Sequence, residues 1–595
     1  MAASNILKII VGFFGTFGTI YFSKTSFQAP VLKPSYDYII VGAGSAGAVL
    51  ANRLSADSSV SVLLLEAGGV QLKNPIFEIP YIAYATQHTS ADWEYYYEEQ
   101  VEATLGQINQ RAYLPRGKVL GGTSMLNYNL YSRGSRFDYD GWESDGNTGW
   151  SYDNILPYFL RSEKINVEEL EDSDYHSTDG EWSVSEMTYT PLMDYFFEAA
   201  QELSLPIIDC NGPQLEGACK NYATIKNGRR HSTFGAFIEP IRHRRNLDIS
   251  LQSLATKILI EDDRATGVEF RRKGRSQTVM AAHEVIVSGG AINSPQLLML
   301  SGIGPQAHLQ QMNIPVIKDL PVGNNLQDHL MTMLSSCINT TGLTINNNEV
   351  FGPRSLLQYK LKKEGYLTSS GGLEATMNIQ TNVANEGITS PDVYIGLLSL
   401  SVPVDEMVKT GILEEQLLRE YFACPGENFV LNLVLLQPKS KGTVRLASSD
   451  PLDDPLIDPQ LLTDSEDIST LIKGIRFALN DILGTEAFRS LDATKPFPIS
   501  VCNDHTYDSD EYWECFIRHV AYPIYHPTST VKMGPSGDPE SVVDSELRVH
   551  GIVGLRVVDT SIMPNIIAGN PSAPAAMIAE KVSDMILGKP PLERK

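Results

Sequence analysis

Short runs of apolar residues, each bounded by turn residues, give the first view of how this chain folds. Residues 36–41 and 60–65 are such runs, rich in valine, isoleucine and leucine, and a similar run at 284–288 lies far along the chain. Runs of about four to eight apolar and β-branched residues are typical of strands buried in a sheet. If these strands share one sheet, the chain leaves it after the second strand and returns much later.

The N-terminal apolar run differs from these strands in its length and its flanks. Residues 9–22 carry no charge, follow Lys8 and precede a polar stretch at 23–26. A membrane-spanning helix needs about 20 apolar residues, whereas the core of a signal peptide needs roughly 7–15. We therefore expect a signal peptide, and a secreted or extracellular protein. An uncleaved membrane anchor is the alternative, because no clear cleavage site follows the run.

A glycine-rich turn directly follows the first predicted strand, and an apolar stretch at 48–54 after it predicts a helix. The first glycine of such a turn permits a tight bend, the second lets a pyrophosphate approach the backbone, and the third allows close helix–strand packing. The turn therefore predicts a dinucleotide site. Its pattern is G-x-G-x-x-G, and its residues include Gly42, Gly44, Ser45, Ala46 and Gly47.

An acidic residue ends the second predicted strand. Glu66 stands nineteen residues beyond Gly47, where a carboxylate can accept hydrogen bonds from both ribose hydroxyls. The same negative charge repels a 2′-phosphate and disfavours NADP. The motif and the acid together leave NAD and FAD open as cofactors.

Composition narrows the possible partners. The 595 residues carry a formal net charge of −24, which opposes attraction to nucleic acid or anionic lipid. We therefore exclude nucleic acid, and expect membrane contact only if the N-terminal run is an uncleaved anchor. The six cysteines show no C-x-x-C pair and no zinc-ligand spacing, so we expect no metal. Disulfides and buried free thiols explain this even count equally well.

Three further segments have distinctive patterns, one suited to contact a cofactor and two typical of helix starts. The glycine-rich stretch at 117–127 offers a backbone that can touch a planar ring, and its hydroxyl and amide groups can satisfy the ring's polar edge. Residues 293–295 predict the cap and first turn of a helix, and residues 572–574 predict a second capped helix. Residues 572–574 belong to a longer C-terminal segment at 557–580.

These segments resemble the signatures of the glucose-methanol-choline (GMC) oxidoreductase family. The resemblance extends over residues 36–587. Within that family the chain is most similar to arthropod glucose dehydrogenases, which use FAD and a quinone-type acceptor. The resemblance implies that FAD is the cofactor. The positions that would hold it are Gly42, Gly44, Ser45, Ala46, Gly47, Glu66, Val119, Gly121, Gly122, Thr123, Asn127 and Asp559.

The resemblance also implies the fold class and the domain organisation. The expected fold is α/β and α+β, with a Rossmann-like FAD-binding domain interleaved with a substrate domain built on an antiparallel sheet. The signal peptide or anchor, with a linker, is expected to occupy residues 1–34. The FAD-binding domain is expected to comprise residues 35–160, 240–330 and 541–595, and the substrate domain residues 161–239 and 331–540.

Two residues carry the expected chemistry. His526 lies in a segment at 525–534 that resembles the family's active-site histidine loop, although this chain has Ser529 where the family more often has glycine. Histidine titrates near working pH, so His526 can remove a hydroxyl proton. Asn570 lies where the family has histidine or asparagine, and an amide can hydrogen-bond an alkoxide-like oxygen without taking its proton.

The predicted activity is oxidation of an alcohol or sugar by hydride transfer to FAD, with electrons passed to a quinone-type acceptor. An oxidase that returns the electrons to oxygen is one alternative, because oxygen access cannot be inferred from sequence. An inactive flavin-binding protein is the other. The substrate stays open, since related folds use very different alcohols.

Overall fold

The computed structural model describes residues 27–29, 31–72, 74–381, 390–401, 404–408 and 412–594. The apolar run at 9–22, and with it the expected signal peptide or anchor, lies outside these residues. None of the helices in the described ranges has both the length and the apolar character that crossing a membrane requires.

Two large sheets organise the molecule, one of seven strands and one of six. Their strands in chain order are β1 (Ser35–Val41), β2 (Val62–Leu65), β3 (Gly217–Lys220), β4 (Leu247–Ser250), β5 (Ser253–Glu261), β6 (Arg264–Arg272), β7 (Arg275–Val287), β8 (Leu330–Ile338), β9 (Leu373–Ile379), β10 (Val393–Leu398), β11 (Glu427–Leu435), β12 (Tyr522–Pro523) and β13 (Leu555–Val557). Smaller ladders pair Tyr95–Tyr96 with Tyr113–Leu114, Glu163–Asn166 with Trp182–Ser185, Ile225–Lys226 with Arg229–Arg230, Ile303–Gly304 with Lys318–Asp319, Ile345–Asn346 with Leu400–Ser401 and Thr443–Arg445 with Leu456–Asp458.

Helices cover the outer faces of these sheets. The longer α-helices are α1 (Ser45–Leu54), α2 (Arg136–Ser144), α3 (Tyr152–Ser162), α4 (Leu192–Glu202), α5 (Gly290–Leu300), α6 (Gln306–Gln311), α7 (Pro353–Lys362), α8 (Glu415–Tyr421), α9 (Ser465–Arg476), α10 (Asp510–Val520) and α11 (Ser572–Ile586). Shorter helical turns include Pro75–Glu78, Pro80–Thr86, Gly122–Met125, Phe234–Ile238, Asn347–Val350, Phe477–Ile482, Glu486–Arg489 and Thr560–Ile562.

The seven-stranded sheet contains the apolar runs singled out in the sequence. Its order is β4-β2-β1-β7-β6-β5, and β13 also pairs with β7. β1 pairs in parallel with both β2 and β7, so the prediction that these strands share one sheet is confirmed. β7 is longer than predicted, because it extends back to Arg275 and forms an antiparallel pair with β6. The turn from β1 into α1 places the start of this helix at the carboxyl edge of the parallel strands.

The six-stranded sheet is antiparallel throughout, in the order β12-β8-β11-β10-β9-β3. One of its faces packs against helices: Leu431 and Leu433 of β11 share a buried apolar cluster with Phe516 of α10. Because side chains alternate along a strand, the residues between them face the other way. The antiparallel sheet, beside a mixed sheet whose β4, β2, β1, β7 and β13 pair in parallel, confirms the fold class that the family resemblance implies.

The starts of α5 and α11 differ from the predicted ones. Residues 293–295 lie inside α5, which begins at Gly290. Pro295 has no N–H to donate to the carbonyl of Ala291, but the Thr530 hydroxyl donates to that carbonyl instead, at 2.6 Å, so the helix tolerates the proline. α11 begins at Ser572 with no side-chain cap. Its first N–H groups are therefore left for another partner.

All six cysteines form disulfides, which decides between the two alternatives that the sequence left open. The pairs are Cys210–Cys219, Cys337–Cys424 and Cys502–Cys515. His519 lies close to the last pair, but sulfurs joined in a disulfide are not thiolate ligands for a metal.

Candidate active site

A cavity of about 1480 Å³ is lined by residues of both sheets. One end of the cavity is lined by the carboxyl ends of β1 and β2, the loop around Gly122 and the start of α5, and is called the nucleotide end below. The opposite end is lined by the inward face of the six-stranded sheet and is called the substrate end. The loop carrying His526 and the start of α11 lie where these two ends meet.

The glycines of the turn after β1 are required by close backbone contacts. Gly42 has a φ of 101°, and a Cβ added there would lie 2.4 Å from the carbonyl oxygen of Ser288. A Cβ on Gly47 would lie 1.9 Å from the carbonyl oxygen of Gly42, so α1 can pack this close to the turn only with glycine. A Cβ on Gly44 would meet nothing nearer than the Cα of Gly122, at 4.0 Å. The second glycine therefore keeps the backbone open toward the cavity.

Two helices begin at this cavity without a side-chain cap. Gly44 precedes α1 and makes no capping bond, and Ser45 and Ala46 line the cavity. At the start of α11, Pro571 and Ser572 also line it, and the Ser572 hydroxyl has no partner among the described residues. Free N–H groups at a helix N-terminus, together with the helix dipole, favour a bound anion. The arrangement fits a negatively charged ligand that spans both helix starts.

Glu66 is buried at the end of β2. One carboxylate oxygen accepts the Ala43 N–H at 3.0 Å and the other accepts the Gly68 N–H at 2.8 Å. Burial raises the pKa of Glu66 to about 7. Each carboxylate oxygen has a further lone pair for a ligand hydroxyl, and the side chain lines the cavity, as the ribose role requires.

The loop at 117–127 lies directly against the glycine turn. Gly122 lines the cavity, and a Cβ on it would lie 2.6 Å from the Cα of Gly44. Val119 supports Gly122 from behind, since its carbonyl accepts the Gly122 N–H at 2.7 Å. Gly121 has a φ of 98° and lies beneath the Phe234 side chain. Of these predicted cofactor residues, Gly122 faces the cavity, whereas Val119 and Gly121 shape the loop.

Thr123 and Asn127 also line the cavity. The Thr123 hydroxyl accepts the Gly117 N–H at 3.1 Å, and the Asn127 amide oxygen accepts from Nη1 of Arg230 at 2.8 Å. Arg230 was missed in the sequence, because it comes from a short distant hairpin without a motif. Burial lowers the pKa of Arg230 to about 9.

Asp559 lies on the cavity wall and is held by protein groups. One of its oxygens accepts the Gly290 N–H at 2.9 Å and the Ser294 hydroxyl at 2.6 Å. The other oxygen accepts the Ser561 N–H at 2.8 Å. Asp559 therefore fixes the start of α5 against the cavity.

The predicted catalytic pair lies together at the junction of the two ends. Nε2 of His526 is 3.3 Å from Nδ2 of Asn570, and both residues line the cavity. Burial, followed by the effects of His329 and Arg116, lowers the pKa of His526 well below its ordinary value. The imidazole is therefore neutral at neutral pH and can act as a base.

His329 orients His526 and was missed in the sequence. Its Nε2 is 3.1 Å from the carbonyl oxygen of Leu436, and its Nδ1 is 3.0 Å from Nδ1 of His526. A carbonyl can only accept, so neutral His329 carries its proton on Nε2 and accepts at Nδ1. His526 must then donate from Nδ1. Its Nε2 is left unprotonated beside Asn570, in the tautomer that a general base needs.

A carboxylate holds the backbone of the same loop. Oδ1 of Asp328 accepts the His526 N–H at 2.7 Å, and Oδ2 accepts the Tyr97 hydroxyl at 2.5 Å. Burial raises the pKa of Asp328 to about 7. The sequence signal that could have indicated Asp328 and His329 is the polar run Gln327-Asp328-His329 just before β8. Polar side chains next to a buried strand need hydrogen-bond partners.

Ser529 occupies the position in the histidine loop at which the family resemblance suggested glycine. Its φ is 76°, in the left-handed region that glycine enters without strain. Its hydroxyl donates to the Thr528 hydroxyl at 2.9 Å, and its N–H donates to the carbonyl of Thr560 at 3.1 Å. The loop therefore keeps the backbone conformation that glycine would favour.

Comparisons with known proteins identify the family. Sequence models of the GMC oxidoreductase family match residues 36–331 and residues 438–579. The chain belongs to the GMC oxidoreductase family. It is 39% identical over 557 residues to the glucose dehydrogenase [FAD, quinone] of Drosophila pseudoobscura pseudoobscura, covering 92% of this chain and 86% of that protein.

Other relatives in the GMC family extend the comparison. The alcohol dehydrogenase [acceptor] of Pseudomonas putida is 39% identical over 567 residues, covering 93% of this chain and 96% of that protein. Among solved structures, the formate oxidase of Aspergillus oryzae RIB40, studied for its FAD modification, has a TM-score of 0.81 and 26% identity, covering 94% of this chain and 99% of that one. The chain is thus an FAD-dependent oxidoreductase for alcohol- or sugar-type substrates.

The cavity fits FAD on its own geometry. The two uncapped helix starts, the buried carboxylate of Glu66 and the open backbone at Gly44 match a pyrophosphate, a ribose and a flavin placed along one wall. An added Cβ at Gly122 would close this wall against Gly44.

Proposed function

We propose that this protein oxidises the CH–OH group of a small alcohol by using His526 as the base. The observation that carries the proposal is the position of His526 Nε2 on the cavity wall, 3.3 Å from Nδ2 of Asn570. Bound FAD supplies the acceptor for the hydride. Nε2 of His526 takes the hydroxyl proton, and the Asn570 amide donates to the oxygen as negative charge develops on it.

We assign the cofactor contacts as the sequence suggested. Gly42, Gly44, Ser45, Ala46 and Gly47 accommodate the pyrophosphate, and Glu66 binds the ribose. Gly122, Thr123 and Asn127 lie along the flavin, supported by Val119 and Gly121. Asp559 acts through the start of α5. The proposed domain division follows the same assignment, with 35–160, 240–330 and 541–595 as the FAD-binding domain.

We propose a quinone-type molecule as the electron acceptor. The support is the similarity to the Drosophila glucose dehydrogenases, whose names specify FAD and quinone. An oxidase is the second candidate, favoured by the likeness to pyridoxine 4-oxidase, with a TM-score of 0.77 and 27% identity. Flavin reduced by substrate should be reoxidised faster by a soluble quinone than by air-saturated buffer. Stoichiometric peroxide at an equal rate would favour the oxidase.

We further propose that the protein is secreted. The support is the apolar run at 9–22 and the three disulfides, because disulfides persist in oxidising compartments. Expression of the full chain in insect cells tests this proposal: the protein should appear in the medium without the apolar run at 9–22. Retention in the membrane fraction at full length would instead establish an anchor.

An alcohol panel tests the proposed activity most broadly. Holoenzyme mixed anaerobically with a substrate should lose the absorbance of oxidised flavin. Failure of primary alcohols, secondary alcohols and sugars alike to bleach the flavin would favour the inactive flavin-binding alternative.

A further inference from the structure

A buried arginine lies behind the wall of the nucleotide end. Arg230 belongs to the short hairpin that pairs Ile225–Lys226 with Arg229–Arg230, and it is 8% exposed. Its Nη1 donates to the carbonyl of Ser124 at 3.1 Å and to Oδ1 of Asn127 at 2.8 Å. Because Asn127 lines the cavity, its side chain separates the guanidinium of Arg230 from a ligand on this wall.

Further hydrogen bonds join this part of the chain to the loop at 117–127. The Thr233 N–H donates to the Ser124 hydroxyl oxygen at 3.1 Å, and that hydroxyl donates to the carbonyl of Gly121 at 2.6 Å. Buried hydrogen bonds of this kind fix the groups that they connect. The position of Arg230 behind the loop is therefore well defined.

The contacts of Asn127 determine which way its amide group points. Nη1 of Arg230 and the Asn129 N–H, at 3.2 Å, both approach the same atom of the amide. Both groups can only donate, so that atom is the oxygen. Nδ2 lies at the other end of the amide, and within the part of the chain that the structure describes it donates to no protein group. It is left as a donor for a ligand in the cavity.

The charge of Arg230 is not neutralised by a carboxylate. Among the described residues it forms no ion pair, and its Nε and Nη2 are buried without hydrogen-bond partners. Burial lowers its pKa to about 9, so the guanidinium still carries its charge at neutral pH. Buried charges in proteins are usually paired. An unpaired one beside a ligand cavity points to negative charge on the ligand.

Arg116, a second buried arginine, lines the cavity but has a different environment. Carboxylates that include Asp92 and Asp559 lie close enough to Arg116 to favour its charged form. They also offset its charge, as seen from the cavity. Of these two arginines, Arg230 is the one whose positive charge is uncompensated.

The proposed reaction creates a negative charge that such a group can stabilise. The C–H bond of the alcohol breaks, and the carbon gives a hydride, with two electrons, to the neutral oxidised flavin. The hydroxyl proton goes to His526, and the substrate becomes a carbonyl compound. The ring thereby gains one hydrogen and one negative charge. Donors and charges that are fixed in place before the reaction stabilise charge that develops beside them.

We propose that Arg230 is a positioning residue for the flavin, which holds Nδ2 of Asn127 toward the ring and supplies an uncompensated positive charge behind it. Both effects stabilise the reduced, negatively charged flavin relative to the oxidised one. Arg230 therefore raises the midpoint potential of bound FAD. This inference rests on the proposed placement of the loop at 117–127 along the flavin, but it does not depend on which alcohol is oxidised.

The midpoint potential of the holoenzyme tests this inference. Arg230→Gln keeps an amide donor but carries no charge, and the ratio of reduced to oxidised flavin at a given potential should fall by about 10-fold. For a two-electron couple, a 10-fold change corresponds to a potential about 30 mV lower. Slow anaerobic reduction in the presence of a reference dye measures the potential without any alcohol. Arg230→Leu, which removes the donor as well, should lower it further.

Arg229 on the same hairpin provides the matched control. Its side chain is 48% exposed and pairs with Glu78 at 3.1 Å. Arg229→Gln removes the same charge from the same hairpin, but solvent screens a charge at that position. This variant should keep the wild-type potential. A shift as large as that of Arg230→Gln would show that net charge alone is responsible, and would overturn the inference.

Asn127→Ala tests the amide separately from the charge. It leaves Arg230 in place but removes Nδ2, so the potential should again fall by about 10-fold in the reduced-to-oxidised ratio. A wild-type potential in this variant overturns the inference, even if the Arg230 variants hold no FAD. A wild-type potential in Arg230→Gln also overturns it.

The outcomes separate this inference from the proposed function. If no alcohol or sugar reduces the flavin but the potentials shift as expected, the proposed function fails and the role of Arg230 stands. If an alcohol reduces the flavin and the potential of Arg230→Gln equals that of the wild type, the proposed function stands and the role of Arg230 is wrong.

Discussion

The nucleotide end of the cavity is built mainly from backbone, whereas the substrate end is built from side chains of paired β-strands. At the nucleotide end, glycines bring turns within contact distance and helix starts offer N–H groups. At the substrate end, Met333 and Asn432 come together only because β8 and β11 pair. The first kind of site depends on short-range spacing, and the second depends on the registers of strands distant in sequence.

The largest effect is expected from a substitution that disrupts the backbone packing at the nucleotide end. Gly47→Ala would place a Cβ 1.9 Å from the Gly42 carbonyl oxygen, so the contact between α1 and the turn cannot form. The purified protein should contain almost no FAD and melt at a lower temperature. Gly44→Ala is the matched control, because its Cβ has 4.0 Å of clearance within the protein. It should keep the melting temperature of the apoprotein but lose FAD affinity, and unchanged affinity would show that the cofactor does not approach Gly44.

A smaller effect is expected where the two ends meet. Asn570→Ala removes a neutral donor to the developing negative charge, so flavin reduction should slow by about 10²–10³-fold. FAD content should stay near that of the wild type. Rapid-reaction kinetics with the best alcohol of the panel would measure this change. A loss of FAD with an unchanged rate in the remaining holoenzyme would place Asn570 in cofactor binding instead.

The next effect concerns the acid at the nucleotide end. Glu66→Ala removes hydrogen bonds between a carboxylate and the ribose, so the Kd for FAD should rise by about 10–10²-fold for each bond lost. Flavin that is bound should be reduced at the wild-type rate. Glu66→Gln keeps the shape and one acceptor and should fall between the two. Equal FAD affinity in all three proteins would remove Glu66 from the ribose site.

The smallest effect is expected from removing His329, the residue that sets the tautomer of His526. His329→Leu removes the acceptor for Nδ1 of His526, and the loss of one hydrogen bond predicts a rate about 10-fold lower. His329→Gln, whose amide oxygen can still accept, should lose less. Anaerobic stopped-flow reduction at equal FAD content measures these rates, and a His329→Leu variant as fast as the wild type would contradict the contact.

The same contrast between the two ends explains what could be predicted from the sequence. Gly42, Gly47 and Glu66 were predicted because a local motif encodes a local backbone shape. His526 and Asn570 were proposed as the catalytic pair from longer family signatures, and the structure places them together at the cavity. His329 was not found, because its partners, His526 and the carbonyl of Leu436, lie far away in sequence and no spacing marks it. The start of α5 was wrong for a related reason: Thr530, remote in sequence, replaces the N–H that Pro295 lacks.

The central claim is that an unprotonated His526 removes the substrate proton. The neutral imidazole is the active form, so flavin reduction slows as pH falls through its pKa. Because that pKa lies well below its ordinary value of 6.5, the limb should lie on the acid side of 6.5. Anaerobic stopped-flow reduction across pH, in wild type and His526→Ala at equal FAD content, measures this directly. The account predicts a variant at least 10²-fold slower with no such limb; a variant that reduces its flavin near the wild-type rate, or keeps the limb, would contradict it.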